Sequence, residues 1–380
     1  MKITFFSNYL THHQIPLCDE LSRRDDVQFV FVSTSCMERE RVEGGWQLDK
    51  SYDYELRAYE SEEAHLEALR LARESDVVII GSAPEEYVEA RMSHDGPKLT
   101  FRYSERLYKR GRWRVLSPRG MILRYKTYFR YKKHPLYMLC ASAYTAGDFA
   151  MLGSYLGRCY KWGYFPKTEE YDIDQLLSTK DSKSILWVAR LIDWKHPEIP
   201  IGVAKVLRDR GIDFNLTMIG SGERENCIKQ LISRYGLEDK VTMTGSMSPS
   251  QVRQYMDKSR VFLFTSDQNE GWGAVLNEAM NSGCVVVANR DIGSVPFLID
   301  DGINGVAYHT KNIEKIADIV ENLLKDDDKC TRMGKCAYDT ISKLWSPKVA
   351  SDRLVEVIEN MMNGRKTFFD NGPMSQAKIM

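Results

Sequence analysis

A chain of 380 residues is too long for one ordinary domain, so two are expected. Apolar residues make up 43% and charged ones 28%, the balance of a soluble globular protein, and no apolar run approaches the ~20 residues of a membrane span. The eight cysteines are scattered without CxxC spacing, which argues against a disulfide framework or zinc site and reads as reduced thiols in a cytoplasmic protein.

The N-terminus, MKITFFSNYL, reads as a strand rather than a signal peptide, because Ser7 and Asn8 interrupt the apolar run and no cleavage site follows. Strands are expected at KITFFS (2–7), VQFVFVS (27–33), DVVIIG (76–81), KLTFRY (98–103) and YMLCAS (137–142). SEEAHLEALRLARES (61–75) reads as a helix capped by Ser61, with Leu66, Leu69 and Ala72 as its apolar stripe. Strands alternating with helices imply parallel βαβ units.

Two stretches of this half carry candidate chemistry. The turn SNYLTHHQ (7–14) contains His12 and His13. Neutral imidazole both donates and accepts, so one of them can reach a ligand hydroxyl; the alternative is a pair of polar loop histidines. Residues 101–134 hold twelve Lys or Arg, eight aromatics and one acid, Glu105. A structural ion pair of Glu105 with Arg102 or Arg106 is the preferred reading over a catalytic role. The basic aromatic block has three functional readings beside a plain solvated face: docking on an anionic membrane surface, gripping an acidic or diphosphate-linked acceptor, or binding nucleic acid, which is the least favoured.

The second half repeats the pattern. Strands are expected at 184–189, 214–220, 241–245, 261–266, 284–288 and 305–309, with helices near 197–210, 223–235, 249–258, 273–281 and 312–325. KWGYFPKTEEYDI (161–173) reads as the linker between domains. Asp172 and Asp174 have DxD spacing but follow no strand, so no metal site is expected. DDD (326–328) reads as an acidic turn, 347–362 as an amphipathic helix, and 365–380 as a loosely ordered polar tail.

The run EGWGAVLNEAMNSGCVVVA (270–288) stands out. A strand pattern precedes it and a glycine-rich turn, short helix and strand make it up. That arrangement brings Glu270, Glu278 and backbone N–H groups to the carboxyl edge of a parallel sheet, where open α/β sheets bind ligands. Carboxylates accept from sugar hydroxyls and a helix N-terminus accepts a phosphate. Upstream, Arg190 and Lys195 follow a strand, where a guanidinium and an ammonium can neutralise a diphosphate leaving group. Taken alone, an R-x4-K is more often two solvated surface cations. The cationic pair also argues against a glycosidase acid/base couple, which has no anionic leaving group to stabilise.

Together, Glu270 and Glu278 as E-x7-E, EGWG, NEAMNSG, WVARLIDWKH (187–196), MIGSGE (218–223), TGSM (244–247), RQYMDKSRVFLFTS (253–266) and DDGINGVAY (300–308) resemble the signature of retaining glycosyltransferase family 4 (glycosyl transferases group 1). The resemblance is strong over about 184–310 and weaker elsewhere. It implies an α/β chain of two Rossmann-like domains facing a central cleft, the GT-B fold: 1–165 for the acceptor, 166–345 for the nucleotide sugar, and 346–380 as a helix crossing back to the first domain plus a tail. It implies that Arg190 and Lys195 bind the donor diphosphate, that Glu270 contacts the donor sugar, that Glu278 binds the ribose, and that Gly220, Met247, Gly271, Trp272 and Gly273 line the donor site. His12, His13 and Glu105 are candidates for acceptor or sugar contact. His196 stands where glycine is commoner, which suggests a stiffer loop.

The activity so implied is metal-independent transfer of a sugar, with retention, from a UDP- or GDP-linked donor to a polysaccharide or lipid-linked glycan. No cofactor beyond the donor and no nucleic-acid partner are expected, and the location is cytoplasmic or peripheral on the cytoplasmic membrane face. The rivals are a nucleotide-sugar epimerase on the same fold and a catalytically silent sugar-nucleotide-binding or scaffold subunit.

Overall fold

The computed structural model describes residues 1–37, 51–93, 98–109, 111, 117–127 and 129–380. Arg110, Arg112, Trp113, Arg114 and Tyr128 of the basic block lie outside the described residues. The chain divides into two compact units, one made of Met1–Lys167 and Trp345–Met380, the other of Thr168–Leu344.

The first unit is built on a seven-stranded, wholly parallel sheet: β1 (Lys2–Ser7), β2 (Gln28–Ser33), β3 (Glu55–Arg57), β4 (Val77–Ile80), β5 (Thr100–Ser104), β6 (Leu136–Cys140) and β7 (Cys159–Lys161), in the order β3-β2-β1-β4-β5-β6-β7. Strands covered on both faces need apolar side chains on both, and all four residues of β4 are buried. β3 and β7 were not anticipated, since three residues are too few to show a period. The strand order reverses between β1 and β4, and such a switch point leaves an opening at the carboxyl ends of those strands.

The helix expected at 61–75 spans Glu62–Glu74, with the Ser61 side chain accepting from the Ala64 N–H at 3.1 Å. Its buried stripe differs from the expected one: Leu66 is 58% exposed and the covered face is Ala68, Leu71 and Ala72. Ala68, Leu71, Ala72 and the buried Ser75 follow i, i+3, i+4, i+7, and Leu66 falls off that line.

The helix Pro347–Met362 packs in the first unit against the helix Ile15–Ser22, burying Leu354, Val355, Val357 and Ile358. The tail beyond it is ordered, against expectation. Met374 N–H donates to the Lys161 carbonyl at 2.9 Å, Lys161 N–H to Ser375 at 2.8 Å and Ala377 N–H to Cys159 at 3.0 Å. The tail thus pairs antiparallel with β7, covers the open edge of the sheet and buries Met374 and Ala377. Polar composition hid this, because a strand added to an edge is held by main-chain bonds.

The second unit carries a six-stranded parallel sheet: β8 (Asp181–Val188), β9 (Asn215–Ile219), β10 (Val241–Gly245), β11 (Ser259–Phe264), β12 (Val285–Asn289) and β13 (Gly305–Tyr308), in the order β10-β9-β8-β11-β12-β13. Its switch point lies between β8 and β11. Residues 326–328 are not a mere turn: the Asp326 side chain accepts from Lys329 N–H at 2.9 Å and starts the helix Asp327–Asp339, with Asp327 and Asp328 in its first turn. Asp172 likewise caps the helix Ile173–Ser178, and Asp174 pairs with Lys335 at 2.8 Å.

Truncation after Asp370 removes three main-chain bonds and the burial of Met374, which together contribute about 3 kcal/mol. The expected result is a lower melting temperature of the truncated chain in scanning calorimetry and aggregation through the exposed β7 edge; an unchanged transition would mean the tail contributes nothing.

Candidate active site

The second unit brings the expected cationic and acidic residues to its switch point. The loop after β8 holds Arg190, Lys195 and His196; the loop after β11 holds Ser266, Asp267 and Glu270. The two are stitched together. Trp187 donates its indole N–H to Thr265 at 2.9 Å, and the Thr265 hydroxyl in turn contacts the Lys195 and His196 carbonyls at 2.7 and 3.2 Å. Asp267 N–H donates to the Trp194 carbonyl at 3.0 Å.

Within this frame Lys195 and Glu270 form an ion pair, their side chains only 12% and 10% exposed. Ser266 donates to the same carboxylate oxygen at 3.0 Å, and the Lys195 ammonium lies 4.3 Å from the Trp194 ring centroid. Arg190 is exposed and makes no ion pair among the described residues. The site therefore offers one held cation, one open cation and one buried carboxylate.

The glycine turns are required by close approach. Gly220 has φ 139°, and a Cβ there would lie 1.9 Å from the Ala189 carbonyl oxygen, so no other residue lets this turn pack under Arg190. Leu191 N–H then donates to Ser221 at 2.9 Å, and Ser221 meets Ser246 hydroxyl to hydroxyl at 2.7 Å beside Met247. Gly273 has φ 80°, and a Cβ there would meet Phe264 at 2.4 Å. Gly271 is buried in the same turn. The Trp272 indole is wholly buried and donates to Asn277 at 2.9 Å, which leaves its main chain to face a ligand.

Glu278 lies on the helix Val275–Asn281, where burial holds its carboxyl above the usual carboxylate range and the nearby Arg253 offsets this in part. Arg253 donates to the Glu278 carbonyl at 2.9 Å and to Asn281 at 3.1 Å, a cation at the negative end of that helix.

His196 explains the expectation of glycine at its position. It sits in the left-handed region at φ 52°, ψ 56°, closing the turn Asp193–Lys195 that carries Lys195. A residue with a Cβ is disfavoured there by about 1–2 kcal/mol. The imidazole compensates: Nδ1 meets Glu198 at 2.9 Å and Nε2 lies 3.4 Å from Asp267. The hydrogen bond to Glu198 and the charges of Glu198 and Asp267 raise its pKa, against a smaller lowering by burial.

In the first unit, a cavity of about 590 Å³ opens at the carboxyl ends of β1, β4 and β5. His13 and Glu105 both line it, whereas His12 does not. The His12 ring lies against that of His13, centroids 3.8 Å apart and planes tilted by 52°, and burial lowers the His12 pKa. Glu105 does not pair with Arg102 or Arg106 as expected. Its partners are Lys109 at 2.8 Å and the Tyr164 hydroxyl at 2.7 Å. Sequence reasoning missed Tyr164, which lies in the segment read as linker. Among the described residues no three His, Cys, Asp or Glu side chains converge as metal ligands, and no helix is long and apolar enough to cross a membrane.

A proton on His196 strengthens both of its contacts, so the native state binds that proton more tightly than the unfolded chain. The contribution is full below the unfolded pKa and is lost as pH rises through the higher folded value. With a third of the side chain exposed, each contact contributes about 0–1 kcal/mol. His196→Gly relieves the backbone and removes both contacts. We expect its melting temperature to lie within a few degrees of the parent and to lose the parent's decline between about pH 6 and 8; an equal decline in both would assign it to other groups.

The glycosyl transferases group 1 family model matches residues 168–340. The chain is 30% identical over 189 residues to alpha-D-kanosaminyltransferase of Streptomyces kanamyceticus, covering 50% of this chain and 47% of that protein. It is 28% identical over 182 residues to the amylovoran biosynthesis glycosyltransferase AmsK of Erwinia amylovora, covering 47% and 44%. The chain spans about half the length of the curated relatives it matches. The fold is shared end to end with the Anabaena HepE protein crystallised with UDP (TM-score 0.67, 16% identity, 95% of this chain and 100% of that one). It is shared as well with sucrose-phosphate synthase of Thermosynechococcus elongatus (TM-score 0.65, 14% identity, 96% and 100%). The two parallel sheets are thus those of the GT-B fold, and residues 168–340 match the glycosyl transferases group 1 family model.

Proposed function

We propose that the protein is a retaining glycosyltransferase that moves a sugar from a UDP- or GDP-linked donor to a glycan or lipid-linked glycan. The donor binds the second unit and the acceptor the first. The observation that carries this reading is the Lys195–Glu270 pair beside the open Arg190 at the switch point of the family domain. Fold relatives crystallised with UDP and with UDP-glucose, and relatives named for amylovoran and colanic acid biosynthesis, support the donor class and the glycan acceptor.

In the proposed reaction the bond between the anomeric carbon and the phosphate oxygen breaks as negative charge gathers on the diphosphate. Arg190 and Lys195 stabilise that charge without metal. Glu270 accepts from sugar hydroxyls, Glu278 from the ribose, and the loops at Gly220, Met247 and 271–273 bring main chain to the nucleotide and sugar. The acceptor oxygen bonds to the anomeric carbon on the face the phosphate leaves, and its proton passes to the departing phosphate oxygen, which gives retention.

Glu270→Gln keeps the shape of the buried carboxylate and removes its charge. We expect turnover to fall by about 10²–10³. A thermal-shift panel of nucleotide sugars should show one donor stabilising the parent protein; at a hundred times its dissociation constant the gain is about 2.7 kcal/mol. No response to any nucleotide sugar would defeat the reading, and donor binding without transfer or hydrolysis would favour a silent subunit.

A second contact is proposed for the basic block. On the helix Pro118–Thr127, Met121, Ile122 and Tyr125 are 69%, 55% and 59% exposed, with Arg119 and Lys126 exposed beside them. An apolar face flanked by cations suits an anionic membrane surface at the headgroup level. Serine at all three apolar positions should release the protein from phosphatidylglycerol vesicles in sedimentation, while neutral vesicles should hold neither form; equal sedimentation of both forms with anionic vesicles would refute the contact.

A further inference from the structure

The cavity of the first unit has a charge that the catalytic proposal leaves unused. Three cations line it, Arg102, Arg106 and Lys109, against one carboxylate, Glu105. Both oxygens of that carboxylate are engaged, one by the Lys109 ammonium and the other by the Tyr164 hydroxyl. Lys109 is therefore spent on Glu105. Arg106 lies with its guanidinium 4.5 Å from the Tyr144 ring centroid, which holds its plane in place.

Arg102 is different. It sits in the middle of β5, its Nη1 is buried, and no group among the described residues accepts a hydrogen bond from that atom. A buried cationic donor left without an acceptor forfeits its hydration with nothing in return. A chain keeps such a group where something else supplies the acceptor. The floor that carries it is rigid: Arg102 pairs in register with Ile80 on one side and Met138 on the other. The following loop is pinned by Asp148, fully buried, which accepts from the Leu107 and Tyr108 N–H groups at 2.8 and 3.1 Å.

A planar guanidinium on a fixed floor, a second one close by in sequence and a neutralised carboxylate match a bidentate oxyanion. We propose that this cavity takes a phosphate or diphosphate ester, the anionic group of the acceptor, with Arg102 as its principal ligand and Arg106 as the second. The assignment rests on the reading of the first unit as the acceptor side. It narrows that acceptor from any glycan to one carrying phosphate near the reacting sugar, as a lipid-linked glycan or a soluble sugar phosphate does.

The test is calorimetric titration with farnesyl diphosphate and with glucose 1-phosphate. It uses Arg190→Gln/Lys195→Gln protein, so that the donor-side cations do not contribute, and the same protein carrying Arg102→Gln. Loss of a charged hydrogen bond from a buried site should weaken binding of the preferred ester at least about tenfold, and Arg102→Lys should recover part of it. Arg106→Gln gives a second reading should Arg102→Gln lower the melting temperature. Tighter binding of farnesyl diphosphate identifies a lipid-linked source, and tighter binding of glucose 1-phosphate a soluble one. Unchanged affinity in both arginine variants, or no binding of either ester before Arg102 is replaced, overturns the proposal. Should the parent protein ignore every nucleotide sugar while ester binding still depends on Arg102, the anion site stands and the transferase reading falls.

Discussion

The second unit is organised around one ion pair that is largely withdrawn from water. Lys195 and Glu270 come from the loops after β8 and β11, strands that neighbour each other across the point where the sheet order reverses. Bringing both charges out of water costs several kcal/mol per ion, so the pair is a weak argument for stability. Its consequence is geometric. Each group fixes the other, Ser266 fixes the carboxylate, and the Thr265 and Asp267 contacts fix the two loops. The side chains proposed to meet a diphosphate and a sugar are held before either arrives, which lowers the ordering cost of binding.

His196 shows how much the chain commits to that geometry. The turn carrying Lys195 closes in the left-handed region, where glycine would fit without strain. Imidazole there accepts a backbone cost and returns contacts to Glu198 on its own loop and Asp267 on the facing one. The expected stiffening of the loop would have this mechanism: a further tie between the two loops that contribute Lys195 and Glu270. Its strength depends on protonation, so this tie loosens as pH rises.

Much of this unit was legible because its demands on sequence are local and severe. A glycine whose Cβ would overlap the Ala189 carbonyl cannot be exchanged, and it appears as a motif. Apolar runs on both faces mark buried parallel strands, as in β11 and β12. What escaped notice rests on less specific signals. Thr265 and Ser266 read as the polar end of an apolar strand, although their hydroxyls hold the site together. Trp272 lay inside a ligand-binding motif but serves the core, since burial cannot be told from contact by position in a motif. The C-terminal tail escaped because main-chain pairing to an edge strand leaves almost no mark on composition.

The first unit was harder to read for a related reason. Its cavity draws residues from the ends of β1, β4 and β5 and from the segment around Tyr164, with no single run carrying the set. Charge counting along the chain located the basic block but paired Glu105 with the wrong partners, because residues three apart across a strand end do not face each other as they would on a helix. Lys109, four residues on and past the end of β5, reaches the carboxylate instead, and Tyr164 arrives from beyond β7. The two units thus hold their cations in different states. Lys195 is neutralised by a carboxylate already in place, while buried Arg102 Nη1 has no acceptor among the described residues. A cation already paired favours a ligand that brings hydroxyls as well as charge and can exchange partners with the carboxylate. A cation left without an acceptor favours a ligand whose charge is its main feature. That difference is the chemical basis for proposing a nucleotide-sugar site in the second unit and an anion site in the first.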